Sequence, residues 1–434
     1  MNTVLLGLAE VDITPSGPVE TIGFGRMDNR SRGVLHPLSA QICVWQSGEM
    51  RCCLTALDHI GFSKADADFL RDEIGRVLSV NREQVMLCFS HTHSAPNESV
   101  ETEYFTFVCA QVISGAQQAL LNLSPVLAAW GNARGEIGVN RRAECDVLDE
   151  RIGILKITDA ASGSLRLLLL RLTAHANVLK SDNYLISPDY FGTVRDLLRE
   201  QYGCPILLTQ GASGNVAPKY FCSVLTPPDA NDETRFIRSE RALDQMAEEI
   251  ARQTEPVIRS LRPQPVRRLA MYCVQTDLEA NVPSEQRALE LAAEARREAG
   301  IDGTAWLAEV RRLRRAGICV QIDTTEIQYF ALGDGCLCGT ANELMCEFAL
   351  RASALLHDNL FYLGGYTNGC TGYFPTEEEY DKGGYEVYWS MLTYFPYYGR
   401  VSPLNRDCAG KLLRTVVEHA PEASAPCSPK NRSL

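Results

Sequence analysis

A chain of 434 residues, 45% hydrophobic and 22% charged, has the makeup of a globular protein long enough for a substantial core. A formal net charge of −12 argues against nucleic acid or an anionic membrane as the main partner. No run of about 18 apolar residues occurs, so no transmembrane helix is expected, and a start that reaches Glu10 and Asp12 without a basic leader does not read as a signal peptide.

Residues 3–13 predict a strand, and 40–45 with 51–57 predict a hairpin turning at Ser47-Gly48-Glu49. Ser63 reads as the N-cap of a helix running to about residue 80. The apolar run Val85-Met86-Leu87-Cys88-Phe89-Ser90 predicts a strand that ends in His91-Thr92-His93, and a helix over 102–122 follows. A short strand is expected at 126–130, then a second hairpin from 152–157 and 165–172 through Ala161-Ser162-Gly163. Next come a helix at about 190–202 and a strand at 205–209. Charged helices are expected at 232–254 and 284–315, strands near 319–333 and 359–363, and helices at 341–355 and 406–419.

Hairpins mixed with helical crossovers point to an α/β (mixed α+β) fold, with mixed sheets flanked by helices. A single domain is expected over 1–420, carrying a helix-rich elaboration at 230–316, with a flexible tail at 421–434. Pro227-Pro228 and the basic stretch 259–268 read as surface connections. Most of the sixteen cysteines sit in apolar runs, as Cys43, Cys52, Cys53, Cys88, Cys204, Cys336 and Cys338 do, and no CxxC pair occurs. Buried reduced thiols in a cytoplasmic protein are the expectation.

Two histidines spaced i, i+2 point to opposite faces of a strand, but a turn directly after Phe89 lets His91 and His93 converge. Other apolar strands end in the same polar manner. Leu172 leads to Thr173-Ala174-His175, and Leu208 to Gln210-Gly211-Ala212-Ser213-Gly214-Asn215. Leu332 turns at Gly333-Asp334-Gly335, with Glu343 at the start of the next helix, and Leu363 leads through a glycine-rich stretch to Tyr373. Ligands collect at such strand ends. His91, His175, Glu343 and a tyrosine can thus assemble one zinc site, three protein ligands and an open position being what catalysis needs. Each residue also has a plainer reading: capped loop histidines, a Glu343 that favours the helix dipole, and a packed loop tyrosine.

The order of these motifs resembles the catalytic domain of neutral (non-lysosomal) ceramidases, zinc-dependent amidases, over about residues 5–400. Ser90-His91-Thr92-His93-Ser94-Ala95-Pro96, Val139-Asn140-Arg141, His175, Ser187-Pro188-Asp189, Asn342-Glu343 and Tyr373-Phe374-Pro375-Thr376-Glu377-Glu378-Glu379-Tyr380 follow the family's motifs in sequence order. The resemblance implies one zinc per chain, held by His91, His175, Glu343 and Tyr373. It implies that Arg141 and the tyrosine of Tyr385-Glu386 line the substrate pocket. Two departures stand out. The family's serine in the segment Gly214-Asn215-Val216-Ala217-Pro218-Lys219 is replaced by Ala217, and the chain leaves no room for the family's C-terminal immunoglobulin-like domain.

The resulting expectation is a zinc-dependent hydrolase that cuts an amide bond of a small or soluble N-acyl compound by metal-hydroxide attack. His93 would act as proton acceptor or oxyanion donor, Arg141 as a substrate clamp and Tyr385 as a donor to the collapsing intermediate. Asn215 joins Arg141 and Tyr385 as a substrate-binding candidate. Asp12, Asp58 and Asp189 are candidates for orienting the histidines, with turn and cap roles as the alternative. A zinc esterase or lactonase, and a decayed ceramidase-like binding protein, are the rival readings. The partner expected is a small molecule, and nothing in the sequence specifies an oligomeric state.

Overall fold

The computed structural model describes residues 3–220 and 240–422. The chain opens with β1 (Leu5–Asp12), β2 (Ser39–Ser47), β3 (Met50–Leu57), α1 (Lys64–Leu78), β4 (Val85–Phe89) and α2 (Thr102–Leu121). Then come β5 (Ser124–Arg134), β6 (Gly138–Asn140), β7 (Arg151–Asp159), β8 (Leu165–Leu172), α3 (Tyr190–Tyr202), β9 (Ile206–Gln210) and β10 (Val216–Pro218). The next stretch holds α4 (Glu240–Ser260), β11 (Gln264–Pro265), β12 (Leu269–Asn281), α5 (Glu285–Ala299), α6 (Thr304–Arg315), β13 (Val320–Leu332) and β14 (Gly335–Gly339). The last comprises β15 (Glu343–Leu344), α7 (Cys346–Leu356), β16 (Phe361–Gly364), β17 (Tyr373–Phe374), α8 (Glu377–Lys382), a π-helical turn at Tyr385–Trp389, α9 (Ser390–Tyr398) and α10 (Cys408–Glu418).

These elements build a mixed α+β fold in four layers. A large sheet runs in the order β4-β3-β2-β1-β5-β7-β8-β9, with β11 added on β5, and a second sheet runs β12-β13-β14-β16. The sheets face each other across a core that holds Trp45, Leu54, Leu169, Phe330, Leu337 and Tyr362. Helices α1 and α2 cover part of the large sheet's other face through Leu70, Ile74, Val108 and Val112. Helices α3 and α4 cover the rest through Val194, Leu198, Met246 and Ile250. Helices α7 and α10 cover the second sheet through Phe348, Ala352, Leu412 and Val416.

Pairing within the large sheet is antiparallel except at β3–β4 and β8–β9. Each parallel pair needs a helical crossover, which α1 and α3 supply. Ser63 caps α1 as expected, its side chain accepting from the Asp66 N–H. The two crossovers have a consequence for function. Strands β4 and β9 stand at opposite ends of the strand path, yet the sheet curls until a side chain of one reaches the other: Gln210 Nε2 donates to Ser90 O at 3.1 Å and to Ala174 O at 2.8 Å. These carbonyls belong to the residues that precede His91 and His175.

Three expectations change. The stretch 230–316 is not helical throughout: its centre is β12, thirteen residues long, whose half-buried positions pair along β13. The single helix at 284–315 is two, broken where Gly300 takes φ +67° and ends α5. Glu343 lies not at a helix start but in β15, and α7 begins three residues later at Cys346. Residues 232–239 of one predicted helix, Pro227-Pro228 and residues 423–434 of the tail lie outside the described residues. The fourteen described cysteines are free thiols. Among the described residues no helix is long and apolar enough to cross a membrane.

Candidate metal centre

The turn after β4 is made by His91 itself, which adopts φ +61°. That left-handed conformation is uncommon for a residue with a side chain, and here it breaks the strand's alternation so that His91 and His93 fall on one site. Its backbone N–H is fixed by His59 O at 2.9 Å, and the His93 N–H by Ala176 O at 3.3 Å. One ligand atom each of His91, His93 and His175 lies within 4.8 Å of the others, and all three residues are buried.

The ring orientations follow from backbone partners. His91 Nδ1 meets Ile60 O at 2.7 Å, His93 Nδ1 meets Gly23 O at 3.0 Å and His175 Nδ1 meets Ser213 O at 2.7 Å. A carbonyl only accepts, so each Nδ1 carries a proton and each Nε2 is left turned toward the centre. Burial, followed by the neighbouring Arg141, pushes the His175 ring down to about 3, and burial likewise holds His93 well below the ordinary histidine value. Neutral imidazoles are the form that binds a metal.

Glu343 completes the arrangement. Its Oε2 stands 3.3 Å from His91 Nε2 and 3.4 Å from His175 Nε2. That buried oxygen makes no hydrogen bond, and neither does His93 Nε2. Acceptors facing one another in a dry site are mutually repulsive unless a cation sits among them. A tetrahedral centre with bonds of about 2.0–2.1 Å separates its ligands by about 3.3–3.4 Å, which the Glu343 spacings match. The donor set therefore fits a zinc-type ion.

The remaining candidates divide. Tyr373 is brought to the site: its hydroxyl accepts from Arg141 Nη2 at 2.9 Å, and its ring stacks on His175. Arg141 Nη2 also donates to Gly214 O at 2.7 Å and lies 3.5 Å from His175 Nε2, while its Nε pairs with Glu386 Oε1 at 2.9 Å. Tyr385 lines the same pocket, and burial pushes both phenols up, so that they keep their protons. His93 does not stand aside from the histidine group but is part of it, and its free Nε2 is as available to a metal as to a proton.

Asn215 is not where a substrate contact was expected. It is fully buried, its amide donating to both oxygens of Glu347 at 3.0 and 3.2 Å and its oxygen accepting from the Cys346 N–H at 2.9 Å. It caps α7, and its backbone carbonyl holds the Arg141 N–H at 2.9 Å. The three aspartates do not orient the histidines either. Asp12 accepts from the Thr14 N–H, Asp58 pairs with Arg195, and Asp189 collects the N–H groups of Val178, Leu179 and Tyr190. Backbone carbonyls do that work, and no residue-type pattern announces a carbonyl. Ser213 Oγ is committed to the Tyr366 hydroxyl at 3.1 Å, and Ala217 is buried in β10 opposite Val139.

The centre opens into a small pocket of about 60 Å³. Ile22, Ile60 and Phe62 give the pocket an apolar lining, and Tyr385, Tyr394, Tyr397 and Tyr398 an aromatic one. Two contributors escaped sequence reading: the bridging Gln210, and Glu98, which lines the pocket. Glu98 follows the histidine motif by only a few residues, the one signal that could have drawn attention to it.

No protein-family model matches this sequence, and no curated protein matches it. Solved structures do. The fold is that of the neutral ceramidases: a neutral ceramidase from Pseudomonas aeruginosa aligns with TM-score 0.65 and 19% identity, over 96% of this chain and 75% of that one. A ceramidase complexed with C2 aligns with TM-score 0.70 and 17% identity, over 99% of this chain and 77% of that one.

Proposed function

We propose that the protein is a zinc-dependent hydrolase that cuts the amide bond of a small or soluble N-acyl compound. The observation that carries this reading is the convergence of the histidine Nε2 atoms with a Glu343 oxygen that makes no hydrogen bond. The ceramidase fold supports amide hydrolysis as the reaction class.

His91, His175 and Glu343 would hold the ion, with Tyr373 as fourth ligand. When bound, zinc supplies Lewis-acid activation of water and of a carbonyl oxygen. The chain supplies the rest. His93 Nε2 accepts the proton of the attacking water, its ring held by Gly23 O. Arg141, fixed by Gly214 O and Glu386, presents a rigid guanidinium to the acyl oxygen or to a substrate carboxylate. Tyr385, which keeps its proton, donates to the oxygen that gains charge. Water is the nucleophile because position 217 lacks a hydroxyl and that of Ser213 is engaged by Tyr366.

The test is a panel of matched N-acyl amides, esters and lactones, assayed with zinc-loaded and chelator-stripped protein. Zinc-dependent turnover of amides, lost in His175→Ala, is the expected result. Preference for esters or lactones would change the bond but keep the centre. Tight ligand binding without turnover would make the protein a binding module.

A further inference from the structure

Glu98 is the feature of the pocket that the hydrolytic reading leaves unused. It is 4% exposed, and it lines the same pocket as His91, His93 and Glu343. One oxygen accepts from the Ser63 N–H at 3.1 Å. The other lies 3.8 Å from His59 Nε2, but that nitrogen already donates to Pro96 O at 2.8 Å, while His59 Nδ1 accepts from the Gly61 N–H. Burial drives the His59 ring down to about 4, so it is neutral and supplies no counter-charge. Among the described residues no lysine or arginine lines the pocket near Glu98, and Arg141, at the histidine centre, is paired with Glu386. A carboxyl group is thus buried against a cavity, held by the backbone N–H groups of Ser63 and Glu98 alone and with no described lysine or arginine beside it in the pocket lining. Such a group is expensive to leave unpaired.

Tyr394, Tyr397 and Tyr398 line the same pocket. Tyr394 contacts Tyr397 and Tyr398 with ring centroids 6.4 and 5.8 Å apart, and Asn97, beside Glu98, donates to the Tyr397 hydroxyl at 3.4 Å. A carboxyl group and tyrosine rings that line one pocket are the chemistry that binds an ammonium group, by ion pairing and by cation–π attraction.

We infer that Glu98 is a specificity-determining residue and that the substrate is an N-acyl compound carrying a basic amine. Its ammonium group sits with Glu98 and the rings of Tyr394, Tyr397 and Tyr398 while the amide lies at the histidine centre. The inference rests on the hydrolase reading for what happens to the amide, but not for the recognition itself. Burial pushes the Glu98 carboxyl up to about 7, an effect that an ammonium group beside it opposes.

The experiment uses the full zinc-loaded chain. N-acetyl diaminoalkanes of graded spacer length are compared with length-matched neutral N-alkylacetamides, and ω-aminoacyl amides with their neutral acyl counterparts. In one series or the other, kcat/KM for the ammonium compound should exceed that for its neutral partner by more than about tenfold. Glu98→Gln should bring that ratio to within about threefold of unity, and Glu98→Asp, which keeps the charge, should retain most of it. Equal kcat/KM for both members of each pair in the wild type, or an unchanged ratio in Glu98→Gln, overturns the inference. If the wild type turns over neither series, the hydrolase reading fails, and calorimetric binding of the same compounds decides recognition. Ammonium binding weakened about tenfold or more by Glu98→Gln supports it, and absent or unweakened binding rejects it.

Discussion

Glu343 and Tyr373 are register partners: the parallel ribbon of β15 and β17 sets them opposite one another, and the Glu343 N–H donates to Gly372 O at 2.9 Å. A ribbon two residues long has little stability of its own. Its role is to bring the carboxylate and the phenol to one side of the histidine group from distant parts of the chain. The first prediction follows. The purified protein should carry about one zinc per chain, and His91→Ala, His175→Ala and Glu343→Gln should lose it while far-ultraviolet circular dichroism stays unchanged. Tyr373→Phe should weaken zinc affinity about tenfold. Elemental analysis that finds no metal in protein prepared without chelator would refute the centre, and unchanged affinity in Tyr373→Phe would remove the tyrosine from the ligand set.

Gln210 ties the two ends of the large sheet together through Ser90 O and Ala174 O. Gln210→Leu leaves Ser90 O buried without its donor, at a cost of about 1–3 kcal/mol, whereas Ala174 O keeps the Tyr190 hydroxyl at 2.7 Å. The variant should melt a few degrees lower and should bind zinc about tenfold more weakly, because the backbone before both histidines loosens. A lower melting temperature with unaltered zinc affinity would confine Gln210 to stability.

Position 217 distinguishes two histories of the site. With water as nucleophile, Ala217→Ser should leave kcat/KM within about tenfold, or about 1.4 kcal/mol of barrier. An increase of several orders of magnitude would show that a serine route had been abandoned.

Acid stability should depend on Asp149. Burial opposes its charge, but Arg171 Nη1 at 2.7 Å and Arg151 Nε at 2.8 Å prevail and hold it at about 2. The depressed value means the folded state favours the charged form. The stabilisation is complete above about pH 4 and is lost as pH falls toward 2, amounting to about 2 kcal/mol. Denaturant titrations of Asp149→Asn against pH should show a shallower acid slope than the wild type. Equal slopes would mean that another carboxylate governs acid unfolding.

Long acyl chains should be poor substrates. Glu98 interrupts the apolar lining of Ile22, Ile60 and Phe62, and seating methylenes against a buried carboxyl forfeits its hydration. kcat/KM should fall as the acyl group lengthens, and lipid vesicles should not retain the protein in flotation assays. A rate that rises with acyl length would reverse this assignment.

Period and punctuation made the frame readable: the 85–90 strand, the Ser63 cap, the two hairpins and the His91, His93 and His175 strand ends stand where the pattern put them. What escaped reading depends on the third dimension. The first half of β12 is half-buried almost throughout, with buried and exposed positions alternating only from Gln275 to Asn281, and the strand borrows its order from β13, so its own sequence carries a weak apolar period. Glu343 looks like a helix start because α7 does begin nearby, and only the distant Tyr373 segment converts it to a strand. Asn215 shares its segment with Ser213 and Gly214, whose carbonyls hold His175 and Arg141, yet its own polar atoms turn to Glu347 and Cys346. Spacing alone does not reveal which way a buried amide faces.

The three imidazoles are aimed by the main chain, through Ile60 O, Gly23 O and Ser213 O. Every amino acid offers that same carbonyl, so substitution at 60 or 213 leaves the aiming device in place so long as the loop keeps its path. Position 23 is the exception: its φ of +102° suits glycine, and a Cβ there would lie 2.8 Å from His93 Nδ1. A centre oriented in this way records its ancestry in loop length and backbone course instead of in residue identity. The fold itself persists in the two ceramidase structures at below one residue in five identical.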